Sequence, residues 1–141
     1  MRKHSGSFVI SLDFELFWGV QDSKDIGQYW DNLSGVYLAV PKLLETFEKY
    51  NIHATWATVG FLFFNSKEEL VCSLPDKKPS YIDSSLSPYN FLKLNKLNDQ
   101  DNSIYFAKNL IDKILCSDNQ EIGGHTFSHY YCLEGNQNIE E

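Results

Sequence analysis

The sequence has no run of basic residues, no CxxC pair and no apolar stretch long enough to cross a membrane. Each absence removes a class of function. Twelve Lys and Arg against nineteen Asp and Glu leave a formal net charge of -7. With no basic stripe to neutralise phosphates, a nucleic-acid partner is not expected. Cysteine is sparse and odd in number: Cys72, Cys116 and Cys132 fit neither a disulfide framework nor a zinc knuckle. Cys132 reads as a buried, inert thiol. The run "ATWATVGFLFF" at 54–64 falls well short of the roughly 20 residues a spanning helix needs. The opening "MRKHSGSFVISLDFE" lacks the apolar centre of a signal peptide, so a cytoplasmic setting is the expectation. Internal repeats and low-complexity tracts are also missing.

What is present is enough for one core. At 141 residues, 43% hydrophobic and 15% aromatic, the chain is too apolar to stay disordered and has the length of a single domain. Phe8–Leu12 reads as a buried strand that ends at Asp13. The polar segment from Trp18 to Ser34 reads as a loop. Val36, Val40, Leu43, Leu44 and Phe47 then recur at helical spacing, with Pro41 either in the first turn or kinking a longer helix. Ala54–Val59 is a second strand closed by Gly60. Ser66-Lys-Glu-Glu69 has the form of a capping box opening a short helix. Residues 75–102 form a long loop or insertion. Ile104, Ala107, Leu110, Ile111, Ile114 and Leu115 mark another amphipathic helix, and Gln120–Gly124 a third strand. Strand and helix alternate, which favours an α/β fold with a parallel sheet or barrel and helices outside.

In such folds, functional side chains collect at the C-terminal ends of strands. The first strand ends in Asp13-Phe-Glu15, and the third runs into His125-Thr-Phe-Ser-His129. Two histidines at i and i+4 share one face of a helical turn, within reach of a single cation. The zinc-protease pattern would place a glutamate after the first histidine, where Thr126 stands, so a base must come from elsewhere. Asp13 and Glu15, two residues apart at a strand end, could supply one ligand and one base. From the residues alone the plainer alternative stands beside this one. His125 would then cap a strand-to-helix turn, His129 would face solvent, and the acids would cap a helix. Trp18, Trp30, Tyr130 and Tyr131 are candidate sugar platforms or ordinary core.

Taken in order, "SLDFELFWG", "NIHATWATVGFLFF" and "EIGGHTFSHYY" resemble the first half of the polysaccharide deacetylase family (the NodB homology domain, carbohydrate esterase family 4). That family carries a paired-acid motif usually written TFDD, an ATFF-like strand and an H-[ST]-x-x-H motif. The resemblance implies that His125 and His129 are metal ligands and that Asp13 is the general base. Position 14, where the family's metal-binding aspartate falls, is Phe14, so Glu15 is taken as the third ligand in a D-x-E arrangement. The implied cofactor is a divalent metal, commonly zinc, and the implied substrate an N-acetylated sugar of a glycan. The implied fold is a distorted barrel of about seven strands, of which this chain covers the first part as a single partial domain, 1–141. The family's late histidine proton donor and its arginine motif find no counterpart here. A complementing C-terminal segment and little deacetylase activity of this polypeptide alone are therefore expected. The alternatives are a non-catalytic domain retaining metal or glycan binding, and a relative acting on another C–N bond.

Overall fold

The computed structural model describes residues 6–93 and 102–135. Strands β1 (Ser11–Phe14), β2 (Ala54–Thr58) and β3 (Gln120–Gly124) form one parallel sheet in the order β1-β2-β3. Asp13 stands opposite Ala57, and Ala57 opposite Gly123, so the three C-terminal ends lie level. Between β1 and β2 come a 3₁₀ turn at Leu16–Gly19 and α1 (Ile26–Lys49). Between β2 and β3 come a second 3₁₀ turn at Gly60–Phe63, then α2 (Lys67–Cys72), α3 (Pro88–Lys93) and α4 (Lys108–Leu115). The architecture is mixed α/β with a small parallel sheet that does not close on itself.

Side-chain alternation assigns the faces. Phe14, Ala54 and Trp56 are buried, and Leu12 and Ile122 pack on the same core. Leu33, Val40, Leu44 and Phe47 of α1 and Leu110, Ile111 and Ile114 of α4 complete it. The Trp56 ring meets Phe14 and Phe47 with centroids 6.1 and 6.3 Å away. On the other face Ser11, Asp13 and Glu121 are exposed. A strand order without reversal and right-handed crossovers send successive connecting helices to the same side of a sheet.

The segment expected to be a loop up to Ser34 is helical from Ile26, making α1 24 residues long. Asp25 starts it, its carboxylate accepting from the Gln28 N–H at 3.1 Å. Ile26, Tyr29, Trp30 and Leu33 continue the apolar stripe backwards from Val36, while the polar residues that suggested a loop occupy the outer side. Pro41 lies inside this helix and withholds one backbone bond from it.

The first strand also sits three residues later than expected. β2 begins at Ala54 and pairs Thr55 with Ser11, leaving Phe8 and Val9 exposed and beyond its reach. At α2, Ser66 Oγ accepts from the Glu69 N–H at 3.2 Å, and the Glu69 carboxylate reaches the Asn65 N–H at 2.8 Å. The 75–102 segment is not structureless, because it contains a 3₁₀ turn at Ser84–Leu86 and α3. Its residues 94–101 lie outside the described residues. Helix α4 starts four residues later than Ile104. The preceding Ile104 and Tyr105 are buried in a turn, where the Tyr105 carbonyl accepts from Trp18 Nε1 at 2.8 Å. Cys132 is exposed rather than buried, because the chain returns to the surface after Tyr131. Among the described residues no helix is long and apolar enough to cross a membrane.

Candidate metal centre

The sheet delivers two sets of donors to the same end. Phe14 closes β1 by turning into the core, and Glu15 then leaves the strand with φ -136° and ψ -17°. Leu16 follows in the left-handed region at φ 46°. This turn, rather than simple alternation along a strand, aims the Glu15 carboxylate. Space for it comes from Gly19: a β-carbon there would lie 2.5 Å from Glu15 Cγ and closer still to its carboxylate.

The histidines arrive from β3. The His125 N–H donates to the Thr58 carbonyl at 3.0 Å, extending the β2–β3 ladder by one step. The following residues form a tight turn and not the helical turn expected from the i, i+4 spacing. Thr126 and His129 both take left-handed backbone angles, φ 60° and 55°. Such angles cost non-glycine residues about 1–3 kcal/mol each and persist where neighbours over-determine them. Here the Gly60 and Phe61 N–H groups donate to the Thr126 and Phe127 carbonyls, both at 2.9 Å. The Tyr130 N–H closes the turn onto Thr126 Oγ1 at 2.7 Å. The Phe127 ring stands edge-on to Phe61 at 5.1 Å. Gly60 is required by this approach, since a β-carbon on it would sit 2.9 Å from both Cα and the carbonyl oxygen of Phe127.

The result is a convergence across three strands. Glu15 Oε2 lies 3.2 Å from His125 Nε2 and 3.1 Å from His129 Nε2, and the three donor atoms are all within 4.8 Å of one another. The hydrogen bond from His129 holds the Glu15 carboxyl below its ordinary range, against the opposing effect of burial. Reciprocally, the bond to Glu15 raises His129 above the ordinary imidazole value. Asp13 is exposed on the open sheet face and outside the cluster, near enough for its charge to favour protonated His129.

These donors fit a divalent cation. Two imidazoles and one carboxylate are the set that holds a hydrolytic zinc ion while leaving a position open. Bonds of roughly 2.1 Å place ligand atoms about 3–4 Å apart, the spacing already approached here. The hollow over Gly19 keeps the carboxylate in line with both rings. His129 Nδ1 is buried and has no hydrogen-bond partner among the described residues, which supply no polar orienter of the kind usual for a ligating imidazole. The Tyr131 ring stands in its place, edge-on to His129 with centroids 5.2 Å apart. Burial, and then the nearby Asp22 carboxylate, push the Tyr131 phenol well above its ordinary pKa.

Glu15, His125 and His129 are therefore brought together, and Asp13 stands apart at the strand end. Gly19, Gly60 and Tyr131 belong to the site without having been singled out for it by residue chemistry. A glycine four positions after a candidate ligand was the available signal for the first of them. Trp18 is fully buried core and not a sugar platform. No protein-family model matches the chain, and comparisons with curated proteins and with solved structures find no match.

Proposed function

We propose that this chain carries the metal centre of a polysaccharide-deacetylase-like hydrolase acting on N-acetylated sugars. The observation that carries the reading is the meeting of Glu15 with His125 and His129 at the C-terminal ends of β1 and β3. The reading is supported further by an unreversed strand order with an uncovered inner face, as an opening arc of a (β/α) barrel would have. Zn²⁺ held by Glu15, His125 and His129 would supply Lewis-acid activation of an acetyl carbonyl and of water. Asp13, exposed and free of the cluster, is the base that takes a proton from the attacking water. Its place on the open face leaves it accessible to a substrate lying across the strand ends.

A second reading, metal or glycan binding without turnover, has one observation in its favour. The other described histidine, His53, precedes β2 at the opposite end of the sheet and cannot protonate a leaving amine at the cluster. The full chain and the His125→Ala/His129→Ala variant are compared for bound zinc by elemental analysis, then for acetate release from an N-acetylglucosamine oligomer. Stoichiometric zinc in the wild type alone supports the site, and equal content in both removes it. Zinc without acetate release selects the second reading.

A further inference from the structure

The 75–102 segment has no role in the reading above, yet it reaches the histidine turn. Tyr81 is buried, and its hydroxyl oxygen accepts the Tyr131 N–H at 3.2 Å. Its ring packs against Tyr131 edge-on at 5.9 Å and against Tyr130 at 6.1 Å. Tyr131 in turn is the ring against His129, whose Nδ1 has no polar partner among the described residues to set its orientation. The contacts run in one line: Tyr81 to Tyr131, Tyr131 to His129, His129 to Glu15.

A second contact supports the same clamp from α3. Tyr89 is buried edge-on against Phe61 at 5.6 Å, and Phe61 bears directly on Phe127 inside the turn. Thr126 and His129 are both left-handed, so the turn holds strain that relaxes unless something outside it prevents that.

We propose that Tyr81 is a positioning residue for the metal centre, its hydroxyl and ring latching the turn after His129 so that the imidazole stays aimed at Glu15. The segment that carries it is thereby a determinant of metal affinity and not only a surface excursion. The inference rests on the metal reading of the Glu15–His125–His129 cluster.

The test uses the full chain with zinc alone, in competition with a chelating dye, together with amide hydrogen exchange on the metal-free protein. Tyr81→Phe keeps the ring and removes the acceptor; one such bond corresponds to a loss of about three- to tenfold in zinc affinity. Tyr81→Ala, which also removes the ring, loses more. In both variants the Tyr131 amide exchanges faster before any metal is added. Tyr37→Phe serves as the control for general destabilisation. It deletes a hydroxyl 3.0 Å from the Ser103 and Phe106 carbonyls, in contacts separate from the histidine turn. Its zinc affinity stays at the wild-type value. Wild-type affinity in Tyr81→Phe, or an equal loss in Tyr37→Phe, overturns the proposal. If the wild type binds no zinc, the metal reading fails and the exchange data decide the latch. Faster exchange at Tyr131 then retains it as the anchor of the turn, and unchanged exchange removes it.

Discussion

Gly19→Ala separates the proposed metal centre from the rest of the fold. The backbone at Gly19 has no positive φ, so alanine meets no conformational penalty there. The added methyl would lie 2.5 Å from Glu15 Cγ, against an ordinary contact of 3.4 Å or more, and nearer still to the carboxylate. The atoms in its way belong to the far end of a flexible side chain, so the carboxylate swings aside by about 1 Å or more while the core is untouched. Glu15 Oε2 then leaves both imidazoles, which it now meets at 3.1 and 3.2 Å. Losing the one carboxylate of a three-donor site is expected to weaken zinc binding by about 100-fold, or ~2.7 kcal/mol. Thermal stability of the metal-free protein should change by less than about 1 kcal/mol, a few degrees in Tm. A double-mutant cycle with Glu15→Ala makes the reasoning strict, because it removes the three atoms nearest to the methyl. Zinc competition and thermal melts on the four proteins are the assay. Wild-type affinity in Gly19→Ala, or a further loss when it is added to Glu15→Ala, would refute the reasoning.

Other consequences can be measured on the same protein. Gly60→Ala presses on the Phe127 backbone, which cannot rotate away, so it should lower both zinc affinity, by about tenfold, and stability, by about 1–3 kcal/mol. Gly35→Ala, inside α1 with nothing near its added methyl, should instead raise stability by about 0.5–1 kcal/mol and leave zinc binding alone. Asp13→Asn should keep zinc content while abolishing acetate release wherever release is measurable, and loss of the metal instead would reverse its role with that of Glu15. The metal-free ion pair has a defined pH window. Glu15, depressed below 4.5, contributes above that value and is lost as pH falls through its lowered pKa. His129, raised above 6.5, contributes fully below 6.5 and is lost as pH rises through its raised pKa. A metal must displace the His129 proton, so zinc affinity should climb with pH up to that raised value and then level off. Titration upward from the ordinary imidazole value of 6.5 locates the break, and Glu15→Gln should move it to lower pH.

How much of this could be read in advance depended on which contacts are local. The β2 run Ala54–Thr58 and the β3 run Gln120–Gly124 follow from their own residues, as does the Ser66–Glu69 helix start. The meeting of Glu15, His125 and His129 is legible because a strand end is a local feature that topology turns into a shared location. The beginning of α1 was missed because its stripe of Ile26, Tyr29, Trp30 and Leu33 is diluted by glycine and aspartate that suggest a loop. Spacing alone put the histidines on a helical turn. The real turn is imposed by Gly60 and Phe61, more than sixty residues earlier, whose N–H groups capture its carbonyls. Gly19 and Tyr81 are visible only once side chains from distant segments share space. Cys132 reads as a core thiol from residue type alone, yet it is exposed, and the next residue, Leu133, is 98% exposed.

The order β1-β2-β3 has a further meaning for how the protein assembles. Glu15 leaves one outer strand and the histidines the other, more than a hundred residues apart in sequence, with β2 between them. No pair of adjacent strands can build the cluster alone, so a cation bound there as proposed would recognise only chains in which the whole sheet has formed. By mass action, zinc at a hundred times its dissociation constant would add about 2.7 kcal/mol to the folded state. It would act as a staple between the sheet's two edges, and its loss would first be felt as a loosening of β1 from β3.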